Sequence, residues 1–260
     1  MDRIISFRPI SPEELLNRLG LFKNEKDTIY NNFFYVQLVN GFEYYETEHT
    51  LLARRKDRNF YRLYICSDSE DDLIYLLNNL DNCVYAVNIP TKKDIKPWEF
   101  LFSKTSFSFF AKYDRYKNTN IVERASSIGE YASIMDTDGI MELLDISLES
   151  DFNVYTDYLP TKDDIVEMIN NRQVIIYKEN GKVLGIHIFT IEGKKCYLNL
   201  WYDLSGNGLC LLFDVYNMMY KEGLKLAYFW VKSTNKKVIK IHKLTGAEPD
   251  GVSDYTFLNK

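Results

Sequence analysis

The feature that most constrains this sequence is an order of elements that runs through it twice, with a period near 140 residues. The first pass opens at Ser11-Pro12-Glu13-Glu14, which offers an N-cap, a proline at the first helical position and early acid, so residues 12–21 read as a helix. Strand-like runs follow at 33–39, 42–46, 50–53 and 60–65, and Asn40-Gly41 between the first two is a hairpin signal. A helix at 71–80 carries Leu73, Leu76, Leu77 and Leu80, then come a strand at 83–89, a helix at 93–103 and an aromatic strand at 106–116. After the polar connector 118–120 the order restarts. It gives helices at 139–148 and 161–170, strands at 173–178 and 182–191 around Asn180-Gly181, and a strand at 195–202. A helix at 208–222 closed by Gly223, a strand at 226–231, a helix at 235–244 closed by Gly246 and a strand at 255–258 complete it. The pattern predicts an α+β protein of two modules, 1–117 and 121–260, each a mixed, mostly antiparallel sheet flanked by helices.

The 46% apolar content suffices for real cores, and the aromatic content of 15% suits strands. A formal charge of −5 argues against a general nucleic-acid partner. Cys66, Cys83, Cys196 and Cys210 form no C-x-x-C pair and read as buried, reduced thiols. The three histidines, His49, His187 and His242, lack metal-ligand spacing, so no metal site is expected. The N-terminus has no long apolar stretch and no run reaches the roughly 18 residues that span a bilayer. A cytoplasmic protein without a membrane partner is the expectation, its oligomeric state unread.

The sharpest chemical signal is a strand at 197–202 that passes through Gly206-Asn207-Gly208 directly into an apolar helix. Such a turn aims backbone N–H groups at one point, and the helix terminus adds partial positive charge, so a diphosphate is held without lysine. Other features are spaced around it. Trp230 leads through Lys232, Ser233 and Thr234 to Asn235, then to a helix and to Gly246-Ala247, while Asp157–Pro160 precedes a capped helix.

On these residues, 121–260 resembles the GCN5-related N-acetyltransferase (GNAT) family, whose phosphate loop has the form [Q/R]-x-x-G-x-[G/A]; Gly206 and Gly208 fall on its two small positions. The first module, whose equivalent turn from Cys66 to Asp72 has no glycine and four acids, reads as a degenerate GNAT-like copy. The resemblance implies an acyl-CoA-dependent N-acyltransferase, with acetyl-CoA as co-substrate and a small-molecule or peptide amine as acceptor. It places the cofactor on Leu200, Tyr202, Leu204, Gly206, Asn207, Gly208, Leu209 and Asn235, and the acceptor beside Tyr158 and Trp201. His242 stands where the family carries a proton-donating Tyr, and His187 is a candidate base. Asp203 replaces the loop's first Gln or Arg and brings negative charge to the diphosphate position. That departure favours the alternative, a catalytically inactive GNAT-fold binding or regulatory protein.

Overall fold

Positive φ angles mark the turns where the sequence calls for them: Gly41 at +86°, and Asn180 and Gly181 at 51° and 77°. Two successive positive φ values match the twist of the strands they join. The computed structural model describes residues 5–23, 28–31, 40–157 and 159–259. The sequence-predicted strand at 33–39 lies outside them. The chain divides into two compact units, one of residues 1–113 with 252–260, the other of residues 114–251.

The first unit contains β1 (Arg8–Ile10), α1 (Pro12–Lys23), β2 (Ile29–Tyr30), β3 (Phe42–Glu46), β4 (Thr50–Asp57), β5 (Phe60–Ser67), α2 (Glu70–Asn78), β6 (Tyr85–Thr91) and α3 (Lys96–Phe102). It also takes the first part of β7 (Ser108–Asn118) and the last part of β13 (Glu248–Leu258). Its sheet runs β1-β3-β4-β5-β6-β13. Leu73, Leu76 and Leu77 of α2 form a buried stripe on this sheet with Leu52, Leu63 and Phe102. Parallel strands β5 and β6 pair only at Tyr61↔Tyr85 and Arg62↔Ala86. Beyond that point β2 lies antiparallel on the freed edge of β5, at Ile29↔Ser67 and Tyr30↔Cys66. The buried Asn31 side chain then ties the parted strands together. Its Oδ1 accepts the Ile65 N–H at 2.6 Å, and its Nδ2 donates to the Leu63 and Asn88 carbonyls at 3.0 and 3.2 Å. The chain thus fills this opening with its own backbone.

The second unit repeats the order. It runs from β8 (Glu130–Tyr131) through a 3-10 turn (Ile134–Asp136), α4 (Thr137–Ser150), α5 (Lys162–Asn170), β9 (Val174–Glu179), β10 (Lys182–Glu192) and β11 (Lys195–Asp203). Then follow α6 (Gly208–Lys221), β12 (Leu226–Lys232) and α7 (Lys236–Leu244). Thr161 and Asp164 form a capping box at α5, while Gly223 and Gly246, at φ +66° and +93°, end α6 and α7. β10 pairs Ile188 with Leu200 but Phe189 with Leu198, so Asn199 is bulged out of β11. The extra residue switches the faces. Cys196 and Leu198 pack with α6 residues Leu211, Leu212 and Val215, whereas Leu200 and Tyr202 pack with Ile140 of α4 and Ile165 of α5.

Each unit has three antiparallel strands, a helix, a parallel strand and a second helix, so the fold is α+β with a mixed sheet and flanking helices. The final strands are exchanged. β7 stands beside β12, and Ser253–Leu258 of β13 pairs antiparallel with β6. The sequence division kept residues 252–260 with the second module; in the structure they complete the sheet of the first unit. Cys66 and Cys196 are buried thiols as expected, but Cys210 is only half-buried and Cys83 is exposed. It precedes β6 in a turn where its N–H is held by Asp81, so its side chain never enters the sheet.

Candidate functional site

In the second unit, β11 and β12 run parallel and pair for three residues, Lys195–Tyr197 against Leu226–Tyr228. Both strands continue beyond, to Asp203 and Lys232, without further pairing in the register. The result is a wedge that opens toward the C-terminal ends of both strands, where α6 and α7 begin. Open α/β sheets place ligands at such an end, where neighbouring strands part and helix N-termini converge.

The turn at the head of this wedge is already occupied by a carboxylate of the chain itself. Asp203 Oδ2 accepts the Gly208 N–H at 3.0 Å, its Oδ1 accepts the Ser205 hydroxyl at 2.7 Å, and Ser205 Oγ accepts the Asn207 N–H at 3.1 Å. Gly206, at φ +83°, makes the reversal that brings Asp203 over the helix end. Asp203 therefore caps α6 from five residues upstream and meets the partial positive charge of its first turn. Of the four amides that the sequence assigned to a diphosphate, those of Asn207 and Gly208 are engaged inside the turn. Those of Gly206 and Leu209 have no acceptor among the described residues. The Leu204 N–H is also taken, by the Leu184 carbonyl at 2.8 Å. The signal was present in the order Asp-Leu-Ser-Gly-Asn-Gly, a capping sequence as much as a phosphate loop.

The wedge floor is aromatic and neutral. His242 stacks on Phe229 with ring centroids 3.9 Å apart and meets the edge of Trp201 at 5.5 Å. His187 is the direct cross-strand partner of Trp201 and shares its face. Burial pushes His187 down to about 4, and burial together with the neighbouring His187 pushes His242 down to about 3. Burial therefore favours the neutral form of both imidazoles. Both ring nitrogens of His187, Nδ1 of His242 and Nε1 of Trp201 are buried without a hydrogen-bond partner among the described residues. Trp201 reaches the first turn of α6: a Cβ at Gly208 would lie 2.9 Å from its Cζ2.

The remaining sequence-predicted residues fall around this centre. Leu200 and Tyr202 turn their side chains to the α4–α5 side, where the Tyr202 hydroxyl lies 3.0 Å from Ser150 Oγ, so only their backbone faces the wedge edge. Asn235 caps α7, its Oδ1 accepting the Val238 N–H at 3.1 Å. Tyr158 lies outside the described residues. A separate surface cavity of about 330 Å³ lies along α6, bordered by Gly129, Arg172, Asp214, Asn217 and Glu222, with charges of both signs. Sequence reasoning missed Phe229 as the stacking partner of His242, since an aromatic inside a strand reads as ordinary core. No helix of the described residues is long and apolar enough to cross a membrane.

No family profile and no curated protein sequence matches the chain. Solved structures do. An acetyltransferase of the GNAT family from Colwellia psychrerythraea is 10% identical, covered over 98% of both chains with a TM-score of 0.59. A tandem GNAT protein from the clavulanic acid biosynthesis pathway, also 10% identical, aligns with a TM-score of 0.59 over 98% of this chain and 97% of its own. A GCN5-related glucosamine N-acetyltransferase region of a fungal multi-domain β-N-acetylglucosaminidase reaches a TM-score of 0.67 at 10% identity, over 98% of this chain and 38% of that one. The class that the wedge and these likenesses define is the GNAT fold. This chain has that fold.

Proposed function

We propose that the second unit is an acyl-CoA-dependent N-acyltransferase that passes an acyl group, acetyl in the simplest case, directly from the thioester to an amine. The observation that carries this reading is the parting of β11 from β12 after Tyr197 and Tyr228 beneath the N-terminal turn of α6. The edge of β11 freed there, with Asn199 bulged out, supplies backbone N–H groups to an extended ligand chain and to the oxyanion of the tetrahedral intermediate. The amides of Gly206 and Leu209 receive a phosphate oxygen once Asp203 turns out. Trp201 and the neutral His187 and His242 exclude water from beneath the thioester. As the carbon–nitrogen bond forms the carbon–sulfur bond breaks, CoA leaves as the thiolate and takes a proton from solvent, and the amine's proton passes to solvent, because no buried imidazole here is basic enough to hold it. Titration calorimetry with acetyl-CoA, followed by thiol release with a panel of amines, tests the proposal. Binding accompanied by amine-dependent thiol release supports it, and folded protein that gives no heat at millimolar acetyl-CoA refutes it.

The Asp203–Gly208 bond favours a second reading, in which the unit keeps the fold as a binding or regulatory protein without transferring the acyl group. Acetyl-CoA binding without thiol release for any amine selects that reading.

A further inference from the structure

The stretch from Gly223 to Ala247 contains six lysines and no acid, in a chain whose acids outnumber its bases, 37 to 32. Lys232 ends β12, and Lys236, Lys237, Lys240 and Lys243 all stand exposed on α7. At 100° per residue, Lys236, Lys240 and Lys243 fall within about 60° of one another on the helix surface, with Lys237 at the flank. None of the five takes part in an ion pair among the described residues, and their one described side-chain hydrogen bond runs from Lys236 Nζ to the Ser233 carbonyl at 3.1 Å. A solvated helix face in an acidic protein normally interleaves its charges. This one does not.

Its position gives it a use. β11 and β12 are parallel, α6 follows one and α7 the other, so Lys232, Lys236 and Lys237 lie at the same open end of the wedge as the α6 turn. The turn itself is a poor anion site, because the Asp203 carboxylate already takes the Gly208 N–H and repels a second anion. Positive charge at the mouth comes instead from the beginning of α7, whose own N-terminus adds to it.

We propose that the phosphates of the wedge ligand are held by Lys232, Lys236 and Lys237, with Lys240 one turn further along, and that the α6 amides contribute only secondarily. The ligand class is a nucleotide-like molecule carrying more than one phosphate group. This rests on the thioester reading only for the remainder of the ligand. The lysine comb is a phosphate site whichever thioester, or none, the wedge accepts.

The test compares wild type with Lys236→Glu/Lys237→Glu. Acidic residues in the first turn of a helix favour its dipole, so this variant keeps its fold. Lys221→Glu/Lys225→Glu is the control, changing net charge equally near the opposite, N-terminal end of β12. Adenosine 3′,5′-bisphosphate, acetyl-CoA and a phosphate-free acetyl pantetheine are titrated into each protein. The expected result is roughly tenfold weaker binding of both phosphorylated probes to the α7 variant, with the control unchanged and the phosphate-free thioester indifferent to both. Equal losses in both variants, no loss in either, or no binding of any phosphorylated probe overturns the proposal. Tight binding of a single-stranded oligonucleotide that depends on the same lysines, with no response to the bisphosphate, also overturns it and marks α7 as a nucleic-acid surface. If the bisphosphate follows the lysines while acetyl-CoA and the pantetheine fail, the phosphate site stands and the acyltransferase reading falls.

Discussion

Burying two neutral histidines makes the second unit sensitive to mild acid. His187 and His242 are held near 4 and near 3 in the fold and return to about 6.5 in an unfolded chain. Their folded values are depressed, so the unfolded state binds more protons once the pH falls below 6.5. The stability they contribute is complete above that value and is lost progressively as the pH falls toward 4 and 3. Integrating the linkage from pH 7.5 to pH 5 gives a loss of about 2 kcal/mol for each residue, about 4 kcal/mol together. At a urea dependence of about 2 kcal/mol/M this moves an unfolding midpoint by roughly 2 M. Asp254, buried in the first unit and pushed up to about 6 by desolvation, works in the opposite sense over the same range. Raw curves therefore mix the two. The clean measurement is the difference between wild type and His242→Phe, and between wild type and His187→Leu, in urea midpoints followed by tryptophan fluorescence. Each difference should change by about 2 kcal/mol between pH 7.5 and pH 5. Differences flat across that range refute the assignment of two neutral, desolvated imidazoles.

Asp203→Ala removes the cap of α6 and should lower stability by about 1 kcal/mol while tightening acetyl-CoA binding, whereas Asp203→Asn keeps the cap and only relieves repulsion; calorimetry and thermal melts separate them. Asn31→Ala should cost roughly 2–3 kcal/mol in chemical denaturation, since three hydrogen bonds that join β5 to β6 are lost from a buried site. Gly129→Ala would set a Cβ 2.8 Å from Ile175 Cγ2 and 3.0 Å from Leu211 Cδ1, and should destabilise by about 1–3 kcal/mol, read as a drop in melting temperature.

Local chemistry was legible in the sequence wherever it decides local structure. Asn180-Gly181 adopts its left-handed pair, Thr161 caps α5, Gly223 and Gly246 end their helices, and Asn235 caps α7. The repeat order was read from such signals, and the GNAT resemblance from Gly206, Gly208, Asn235 and Gly246-Ala247. What the sequence did not carry is long-range. Residues 255–258 read as a strand, yet nothing in an alternating aromatic run chooses between β12 and β6 as its neighbour, since both offer a free edge beside a parallel wedge. Likewise Asp203 was visible as a charge out of place, but only the positive φ at Gly206 turns it onto the Gly208 amide. The face of His242 was also hidden, because an amphipathic helix accommodates a histidine on either side, and stacking on Phe229 is a tertiary choice.

The strand exchange sets a timetable for biosynthesis. Asn88 of β6 hydrogen-bonds Thr256 of β13, a partner 168 residues further along the chain. At 5–20 residues per second the ribosome leaves the N-terminal sheet without the strand that lies between β6 and β7 for on the order of 10–30 s. During that interval β6 presents an unpaired edge, to which another nascent chain could pair. Expression at lower temperature, or with chaperones that shield strand edges, should raise the soluble yield.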